Sequence, residues 1–443
     1  MKLFGTDGIR GEAGVAPLDP ETIARVGAAL VRTHGGRGLR VLVGRDTRES
    51  GPWIEDALTR GCASAGAEVG SLGVVPTPAV AYLTRADGFD LGVVISASHN
   101  PYRDNGIKVF SGAGEKFTEA AERAVEAAVA DPTWEVGAGS GRHARPRRDL
   151  IPHYVDHLRR VLADAGPLRG TRLVVDCANG ATSELAPSLL AGLGFVVEPI
   201  GVDPDGRNIN RNCGSTALGL LQGRVREVGA ALGVAFDGDG DRALFVDHEG
   251  RRVDGDAVML VCADQLRREG RLAGDALVAT VMSNIGLDLA LKARGVSLVR
   301  CPVGDKHVME EMLRRGLSLG GEQSGHVIFA DHLYTGDGIA TALHVLRTMA
   351  ATGESLASLA SSLVTYPQVL LNVRVRERVG IETIPAIADA IHDVERRLDG
   401  QGRLLVRYSG TEPLLRIMLE GRDQAEIQAW AEEIAAVVRT HLG

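Results

Sequence analysis

Three carboxylates alternate with glycines in Asp237-Gly-Asp239-Gly-Asp241-Arg242, directly after the apolar run Leu232–Phe236. An extended spacing of two puts all three side chains on one side of the loop. Carboxylates this close repel one another unless a cation sits among them. Hard oxygen donors without His or Cys point to Mg²⁺ as that cation. The segment also resembles the opening of a calcium loop, but the twelfth position from Asp237 is His248, where a bidentate Glu is needed. A metal-free acidic turn is the plain alternative.

A second polar segment, Ser96-Ala-Ser98-His99-Asn100-Pro101, also follows an apolar run and continues through Asp104-Asn105-Gly106-Ile107-Lys108 as one loop. Ligands of open α/β sheets collect outside the carboxyl ends of the strands. A serine there is a nucleophile, a phosphate acceptor or a helix cap. Its hydroxyl is a poor nucleophile without an activating group, whereas a phosphoserine needs only nearby cations and Mg²⁺ to pass its phosphoryl group on. A third segment, Gly320-Gly-Glu322-Gln-Ser324-Gly-His326, flanks a carboxylate and a hydroxyl with glycines. That suits vicinal sugar hydroxyls, or an ordinary glycine-rich turn. In a fourth, Arg407-Tyr-Ser409-Gly410-Thr411-Glu-Pro with Arg416 beyond, backbone amides, two hydroxyls and two guanidiniums suit an anion. A plain hairpin turn is the other reading. The N-terminal Gly5–Gly11 is a polar loop in which Arg10 could face a phosphate. His153 and His157 have a metal-like spacing on a helix, but no third ligand or general base accompanies them. They read as solvated surface residues.

Alternating strand-like and helix-like segments must position these loops. Leu39–Val43, Val69–Val75 and Leu91–Ser96 read as buried strands around a helix at Trp53–Ala65, and Glu119–Ala130 is a strong helix former. A Gly-, Pro- and Arg-rich linker covers 131–148, after which the pattern restarts with strands Leu173–Asp176, Phe195–Ile200 and Leu232–Phe236. A third round begins at Asp254, with strands Ala276–Val281 and Val296–Cys301 between helices. After Tyr366–Pro367, Val369–Val375 alternates like a half-exposed strand and introduces a smaller unit. The expected fold is α/β: three α/β domains with mixed, mostly parallel sheets, 1–148, 149–250 and 251–365, plus a C-terminal α+β domain, 366–443.

Composition narrows the function classes. The 443 residues are 44% hydrophobic and 24% charged, with a net charge of −8 and no basic stripe, which argues against nucleic acid. No apolar run has membrane-spanning length, and the N-terminus lacks an apolar signal core. A cytoplasmic protein without a membrane partner is expected. The five cysteines are scattered and never form a CxxC pair, against a disulfide framework or zinc site. Of 49 cations only Lys2, Lys108, Lys116, Lys292 and Lys306 are lysine. Where arginine is the default, a lysine marks a place that needs a compact or titratable amine.

Together the four loops resemble the α-D-phosphohexomutase superfamily, whose motif order — phosphoserine, metal, sugar, phosphate — the whole chain keeps. Phe4–Gly11, Gly321–His326 and Val303-Gly-Asp-Lys306 are most similar to its glucosamine-phosphate branch. The resemblance implies a fold of four domains around a central cleft. It implies that Ser98, and not Ser96, is phosphorylated, and that Asp237, Asp239 and Asp241 hold one Mg²⁺ with the Ser98 phosphate. It assigns Glu322 and Ser324 to sugar hydroxyls, and Arg407, Ser409, Gly410, Thr411 and Arg416 to the distal phosphate. Arg10, His99, Lys108, Arg242 and His326 fall around the transferring phosphate. The implied reaction interconverts the 6- and 1-phosphates of glucosamine, with a hexose 1,6-bisphosphate as intermediate and activator. A small sugar phosphate is the implied partner, and the oligomeric state stays open, a homodimer included. A mannose- or glucose-phosphate mutase, a phosphosugar-binding sensor without turnover, and a phosphatase are the rival readings.

Overall fold

The computed structural model describes residues 2–5, 7–137, 143–409 and 413–443. Four sheets follow one another along the chain. Residues Met1–Met282 with Val296–Ser362 pack as one compact unit, and Ser283–Gly295 with Leu363–Gly443 as a second.

In the first unit the first sheet runs Phe4–Gly5, Gly8–Glu12, Asp104–Ser111, Leu91–Ile95, Arg40–Arg45, Glu68–Val74, Arg145–Pro146 across its width. Arg40–Arg45 pairs in parallel with Glu68–Val74 and Leu91–Ile95. Strands covered on both faces read as continuous apolar runs, and Leu91–Ile95 is buried throughout. The second sheet has the order Arg252–Val253, Ala243–Asp247, Leu232–Phe236, Arg172–Asp176, Val196–Ile200, and the third Ser297–Cys301, Ala276–Thr280, Leu319–Gly321, Val327–Phe329. In each of these three sheets the parallel strands end on one that turns back antiparallel: Leu91–Ile95 into Asp104–Ser111, Leu232–Phe236 into Ala243–Asp247, and Leu319–Gly321 into Val327–Phe329. The loops that carry Ser98, the three aspartates, and Glu322 with Ser324 are these three reversals. Helices start where the chain supplies a cap, as at Thr118 before Glu119–Ala130, Asp254 before Gly255–Arg268 and Asp337 before Gly338–Thr352.

The second unit is built on the antiparallel sheet Gln368–Arg374, Leu414–Glu420, Arg403–Tyr408. Helices Pro385–Leu398 and Gln424–Leu442 contribute Ile387, Val394, Ile427, Ile434 and Val438 to its core. Gln368–Arg374 alternates exposed and buried positions as its sequence suggests. Fully buried Glu420 accepts hydrogen bonds from Ile285 N (3.0 Å), Gln368 Nε2 (3.0 Å) and Arg403 Nε (2.9 Å). It thereby anchors the helix Ile285–Ala293 to this unit.

Three expectations are corrected. The N-terminal segment is not a loop: Phe4–Gly5 and Gly8–Glu12 form a hairpin that pairs Ile9 with Ile107 and Arg10 with Gly106. Nor is Asp104–Lys108 a loop; it opens the strand Asp104–Ser111. Two-residue periodicity explains it, because Ile107 and Val109 enter the core and Lys108 falls on the opposite face. The third is His157. His153 is exposed beside Asp87, but His157 shares a face of the helix Ile151–Arg159 with buried Tyr154 and Leu158. Its ring stacks on Tyr82 and His332, 4.0 Å from each, and its Nε2 donates to the His332 carbonyl at 3.1 Å.

Burial, and then neighbouring His332, push the His157 ring down to about 4 from an ordinary 6.5. The unfolded chain therefore takes up this proton first as pH falls. The contribution to stability is complete above 6.5 and is lost progressively toward 4. His157→Phe keeps an aromatic stack and removes the proton. Unfolding free energy measured against pH should then fall less steeply over that window, by up to about 1.4 kcal/mol per pH unit. An unchanged slope would assign the acid sensitivity to other groups.

Candidate active site

The Ser98 loop and the acidic loop meet directly. Gly238 permits the contact, since a Cβ there would lie 2.6 Å from the Ser98 carbonyl oxygen. The Ser98 hydroxyl donates to Asp237 Oδ2 at 2.5 Å and lies 3.2 Å from His99 Nδ1. Arg242 donates its backbone N–H to Asp237 Oδ1 (3.1 Å) and its Nη1 to His99 Nδ1 (3.2 Å). His99 Nδ1 is therefore the unprotonated nitrogen. Burial, then Arg242 and Arg10, hold that ring down to about 4, so it is neutral near pH 7.

Asp237, Asp239 and Asp241 are all but fully buried and present oxygens within 4.8 Å of one another. Lys108 Nζ lies 2.8 Å from Asp239 Oδ2, 2.9 Å from Asp241 Oδ2 and 3.3 Å from Asp7 Oδ2. Thr77, at the start of the helix Thr77–Ala86, donates its hydroxyl (2.6 Å) to Asp239 Oδ2 and its N–H (2.8 Å) to the Asp239 carbonyl. Burial favours the neutral form of Asp237 and of Asp241. Asp241 and Asp239 add repulsion at Asp237 and drive it well above the carboxylate range, whereas Lys108 and then His326 overcome burial at Asp241 and hold it well below. The Oδ1 atoms of Asp239 and Asp241 are buried without a hydrogen-bond partner. Spare hard oxygens beside a destabilised carboxylate are what a divalent cation would satisfy, so the residues fit a metal.

Asp7 joins this cluster to a second ring of charge. It accepts from Arg10, from Lys108 and from Lys116, whose Nζ is 2.5 Å away. These cations overcome the effect of burial and keep Asp7 well below the usual carboxylate range. Lys116 also pairs with Asp305. His326 is 1% exposed, with Nδ1 3.7 Å from Asp241 Oδ1 and Nε2 3.6 Å from Asp305 Oδ2. Asp241, then Asp305, outweigh burial and push its pKa up, while the Gly336 N–H, 2.9 Å from Nε2, favours a free lone pair there. Asp7, Lys116, Asp305 and Thr77 were given no site role from the sequence. Asp7 stands in the segment where only Arg10 was singled out, and the scarcity of lysine was the available signal for Lys116.

The sugar loop adjoins the acidic loop, because the Ala243 N–H donates to the Gly325 carbonyl at 3.0 Å. Glu322 and Ser324 are half-buried. The Ser324 hydroxyl donates to Glu322 Oε2 (3.2 Å) and the Gly304 N–H to Glu322 Oε1 (3.2 Å). Ser98, Lys108, Arg10, His99, Arg242, His326 and the three aspartates thus lie in one network in the first unit, with Glu322 and Ser324 on the adjoining loop. Arg407, Ser409 and Arg416 lie in the second unit. There Arg407 and Arg416 are direct cross-strand neighbours, and the buried Ser409 donates its N–H to the Leu414 carbonyl at 2.8 Å. Gly410 and Thr411 lie outside the described residues.

Lys116 separates two carboxylates that have little water around them. Lys116→Met should destabilise the fold by about 3–5 kcal/mol, the cost of leaving buried charges unpaired. Adding Asp305→Asn should restore part of the loss. Thermal or urea unfolding of the single and double variants checks this. Equal stability of Lys116→Met and wild type would show the ring to be dispensable.

Models of the phosphoglucomutase/phosphomannomutase family match the chain in four consecutive pieces: alpha/beta/alpha domain I over residues 1–135, domain II over 152–250, domain III over 254–366 and the C-terminal domain over 370–437. The phosphoglucosamine mutase of Syntrophotalea carbinolica is 47% identical over 449 residues, covering 100% of this chain and 98% of that protein. That of Solibacter usitatus is 47% identical over 443 residues, covering 100% and 99%. Among solved structures, a phosphoglucomutase/phosphomannomutase family protein from Burkholderia thailandensis superposes with a TM-score of 0.81 at 26% identity, covering 99% of this chain and 97% of its own. With relatives matched end to end, and with the acidic metal-binding group in place, this chain belongs to the phosphoglucosamine mutase family and is an enzyme of the phosphohexomutase class.

Proposed function

We propose that this enzyme interconverts glucosamine 6-phosphate and glucosamine 1-phosphate through a phosphorylated Ser98. The supporting observation is the contact of the Ser98 hydroxyl with Asp237, inside a carboxylate cluster that also holds Lys108. In the first half-reaction the bond between phosphorus and Ser98 Oγ breaks and one to the sugar C1 oxygen forms, as the C1 hydroxyl loses its proton. After the resulting 1,6-bisphosphate turns end for end, the bond from phosphorus to the C6 oxygen breaks. The phosphoryl group returns to Ser98 Oγ and the C6 oxygen takes up a proton. No water is consumed.

Asp237, Asp239 and Asp241 would hold Mg²⁺ together with the Ser98 phosphate. Bound there, the ion supplies neutralisation of charge on the transferring group. The chain's own cations do the rest. Lys108, Arg10 and Arg242 surround the loop with positive charge, and the pKa values of Lys108 and Arg242 are pushed up, so both hold their protons near neutrality. Lys108, His326 and Arg242 are the candidates for proton transfer. Neutral His99 orients Arg242 through Nδ1 without adding charge. Glu322 and Ser324 are assigned to the sugar hydroxyls 3 and 4, which present a similar arrangement in both orientations of the substrate. Arg407, Ser409, Gly410, Thr411 and Arg416 are assigned to the phosphate that is not reacting. Arg407 opposite Arg416 supports this, since the register brings two guanidiniums to the same end of one strand pair. The domain divisions 1–148, 149–250, 251–365 and 366–443 are kept as a proposal, with the short strand Arg252–Val253 of the second sheet lying just past the second of them.

The deciding experiment incubates purified protein with Mg²⁺, a trace of hexose 1,6-bisphosphate and the 6-phosphates of glucosamine, glucose and mannose in turn, with products followed by phosphorus NMR. Glucosamine 1-phosphate should form fastest, stop on chelation and resume when Mg²⁺ is returned. Faster conversion of glucose or mannose phosphate would move the enzyme to a sister specificity. No conversion of any would leave the sensor reading, and steady release of inorganic phosphate the phosphatase. Ser98→Ala should lower turnover by at least about 10³-fold with thermal unfolding unchanged. Near-normal activity in that variant would remove Ser98 from the mechanism.

A further inference from the structure

Three arginines approach the Ser98 loop, and one of them differs from the others. Arg48 is 1% exposed and has no donor left for a ligand. An arginine carries five N–H donors. Its Nε donates to Asp46 Oδ2 (2.8 Å), one Nη2 hydrogen to the Ser98 carbonyl (3.0 Å) and the other to that of Asn100 (2.8 Å). Its Nη1 donates to the carbonyls of Asp104 (2.9 Å) and Pro101. The fork therefore gathers four backbone oxygens of one loop and spends its remaining donor on a carboxylate.

That carboxylate closes a circuit. Asp46, fully buried, accepts the Arg48 N–H through Oδ1 (3.0 Å) and the Ser96 hydroxyl through Oδ2 (2.6 Å). Ser96 Oγ in turn accepts the Ser98 N–H at 2.9 Å. Both backbone groups of Ser98 are thus held by the same buried ion pair, the carbonyl by Arg48 and the N–H through Ser96. Asn210, beyond the second sheet's edge strand in the chain, adds a second grip, with Nδ2 2.9 Å from the Ser98 carbonyl and 3.2 Å from that of Asn100.

The clamp has a specific load. Ser98 has φ +53°, the left-handed region. A residue with a Cβ enters that region at a cost of about 1–2 kcal/mol. Glycine would remove the cost, but also the hydroxyl. A serine that must be here and must be left-handed needs its backbone fixed by its surroundings. Relaxation to an ordinary conformation would swing Oγ away from Asp237.

We infer that Arg48 is the positioning residue of the phosphoserine: it touches no substrate and acts by holding the Ser98 backbone in its left-handed conformation. The inference rests on the phosphoserine reading of Ser98. It separates Arg48 from Arg10 and Arg242, which belong to the cation shell of the transferring group. It also predicts that lysine will not replace it, since an ammonium has three donors and no plane with which to span four carbonyls and a carboxylate.

The test compares full-length wild type, Arg48→Lys and Asn210→Ala with Mg²⁺ and hexose 1,6-bisphosphate. It measures kcat and KM for glucosamine 6-phosphate, thermal unfolding, and inorganic phosphate released per turnover. A loosened phosphoserine is open to water: the bond from phosphorus to Oγ breaks, one to the water oxygen forms, Oγ regains a proton and inorganic phosphate leaves. Folded Arg48→Lys should lose about 10²-fold in kcat, the scale of a 1 Å misplacement, with KM little changed and more phosphate released per turnover. Asn210→Ala should show a smaller loss of the same kind. A folded Arg48→Lys with wild-type kcat, or one altered in KM alone, overturns the inference. Should Arg48→Lys fail to fold, Asn210→Ala decides: lower kcat at unchanged KM supports the clamp, and unchanged kcat overturns it. Wild type without mutase activity would instead remove the phosphoserine reading, and the clamp with it.

Discussion

A buried ammonium among buried carboxylates is the interaction on which the first unit depends. Lys108 touches Asp239 and Asp241 of the second sheet's loop and Asp7 of the N-terminal hairpin, all with little water. From there acidic and basic side chains alternate around a closed path: Asp7, Lys108, Asp241, His326, Asp305, Lys116 and back to Asp7. The six members come from the chain segments of three different sheets. Apolar packing is tolerant of which surface meets which, but a buried charge is not, because an unmatched one costs several kcal/mol. The ring thus acts as a registry device that brings the three loops to one place. It also explains a compositional oddity. In a chain with 44 arginines and only five lysines, Lys108, Lys116 and Lys306 all sit in sequestered ion pairs. A compact ammonium can touch three separate carboxylates, whereas a planar guanidinium is matched to the two oxygens of one.

The loops share a local design. Each follows the end of a parallel strand and leads into an antiparallel return strand: Ser98 between Leu91–Ile95 and Asp104–Ser111, the aspartates between Leu232–Phe236 and Ala243–Asp247, Glu322 and Ser324 between Leu319–Gly321 and Val327–Phe329. Arg403–Tyr408 and Leu414–Glu420 flank the fourth loop in the same way, within an antiparallel sheet. In the first unit each loop is tethered at both ends by ladder hydrogen bonds. The return strand contributes too. Lys108 stands on it, on the face opposite Ile107 and Val109, because a strand alternates its side chains.

This design decides what could be read from the chain. Leu91–Ile95 and Leu232–Phe236 were legible, since strands buried on both faces are unbroken apolar runs. The reversals after them were not. Asp104–Ser111 begins with Asp-Asn-Gly, which on composition is a turn, and only pairing with Gly8–Glu12 and Leu91–Ile95 makes it a strand. The hairpin Phe4–Gly5 with Gly8–Glu12 is hidden for the same reason, since its partner lies about a hundred residues on. The members of the acidic loop were legible because their spacing is local. Asp7, Asp305 and Thr77 were not, because what makes them matter is a partner in another sheet. His157 is the instructive middle case. Its face of the helix, with Tyr154 and Leu158, is visible in the sequence, but attention to its spacing from His153 pointed to the wrong neighbour.

Charge matching brings the loops together, yet it does not fix the one atom that must react. The Ser98 hydroxyl has to reach the carboxylate cluster while its backbone occupies a conformation that a Cβ disfavours. Chemistry forbids the usual remedy of glycine. The structure instead surrounds the residue with hydrogen bonds: Ser96 at its N–H, Arg48 and Asn210 at its carbonyl, Asp237 at its side chain. Two of these come from its own sheet's segment and two from the second sheet's. The conformation of Ser98 therefore depends on the docking of those two sheets, which the buried charges secure. Under the proposed mechanism, this links the stability of the first unit to the placement of a single reacting oxygen.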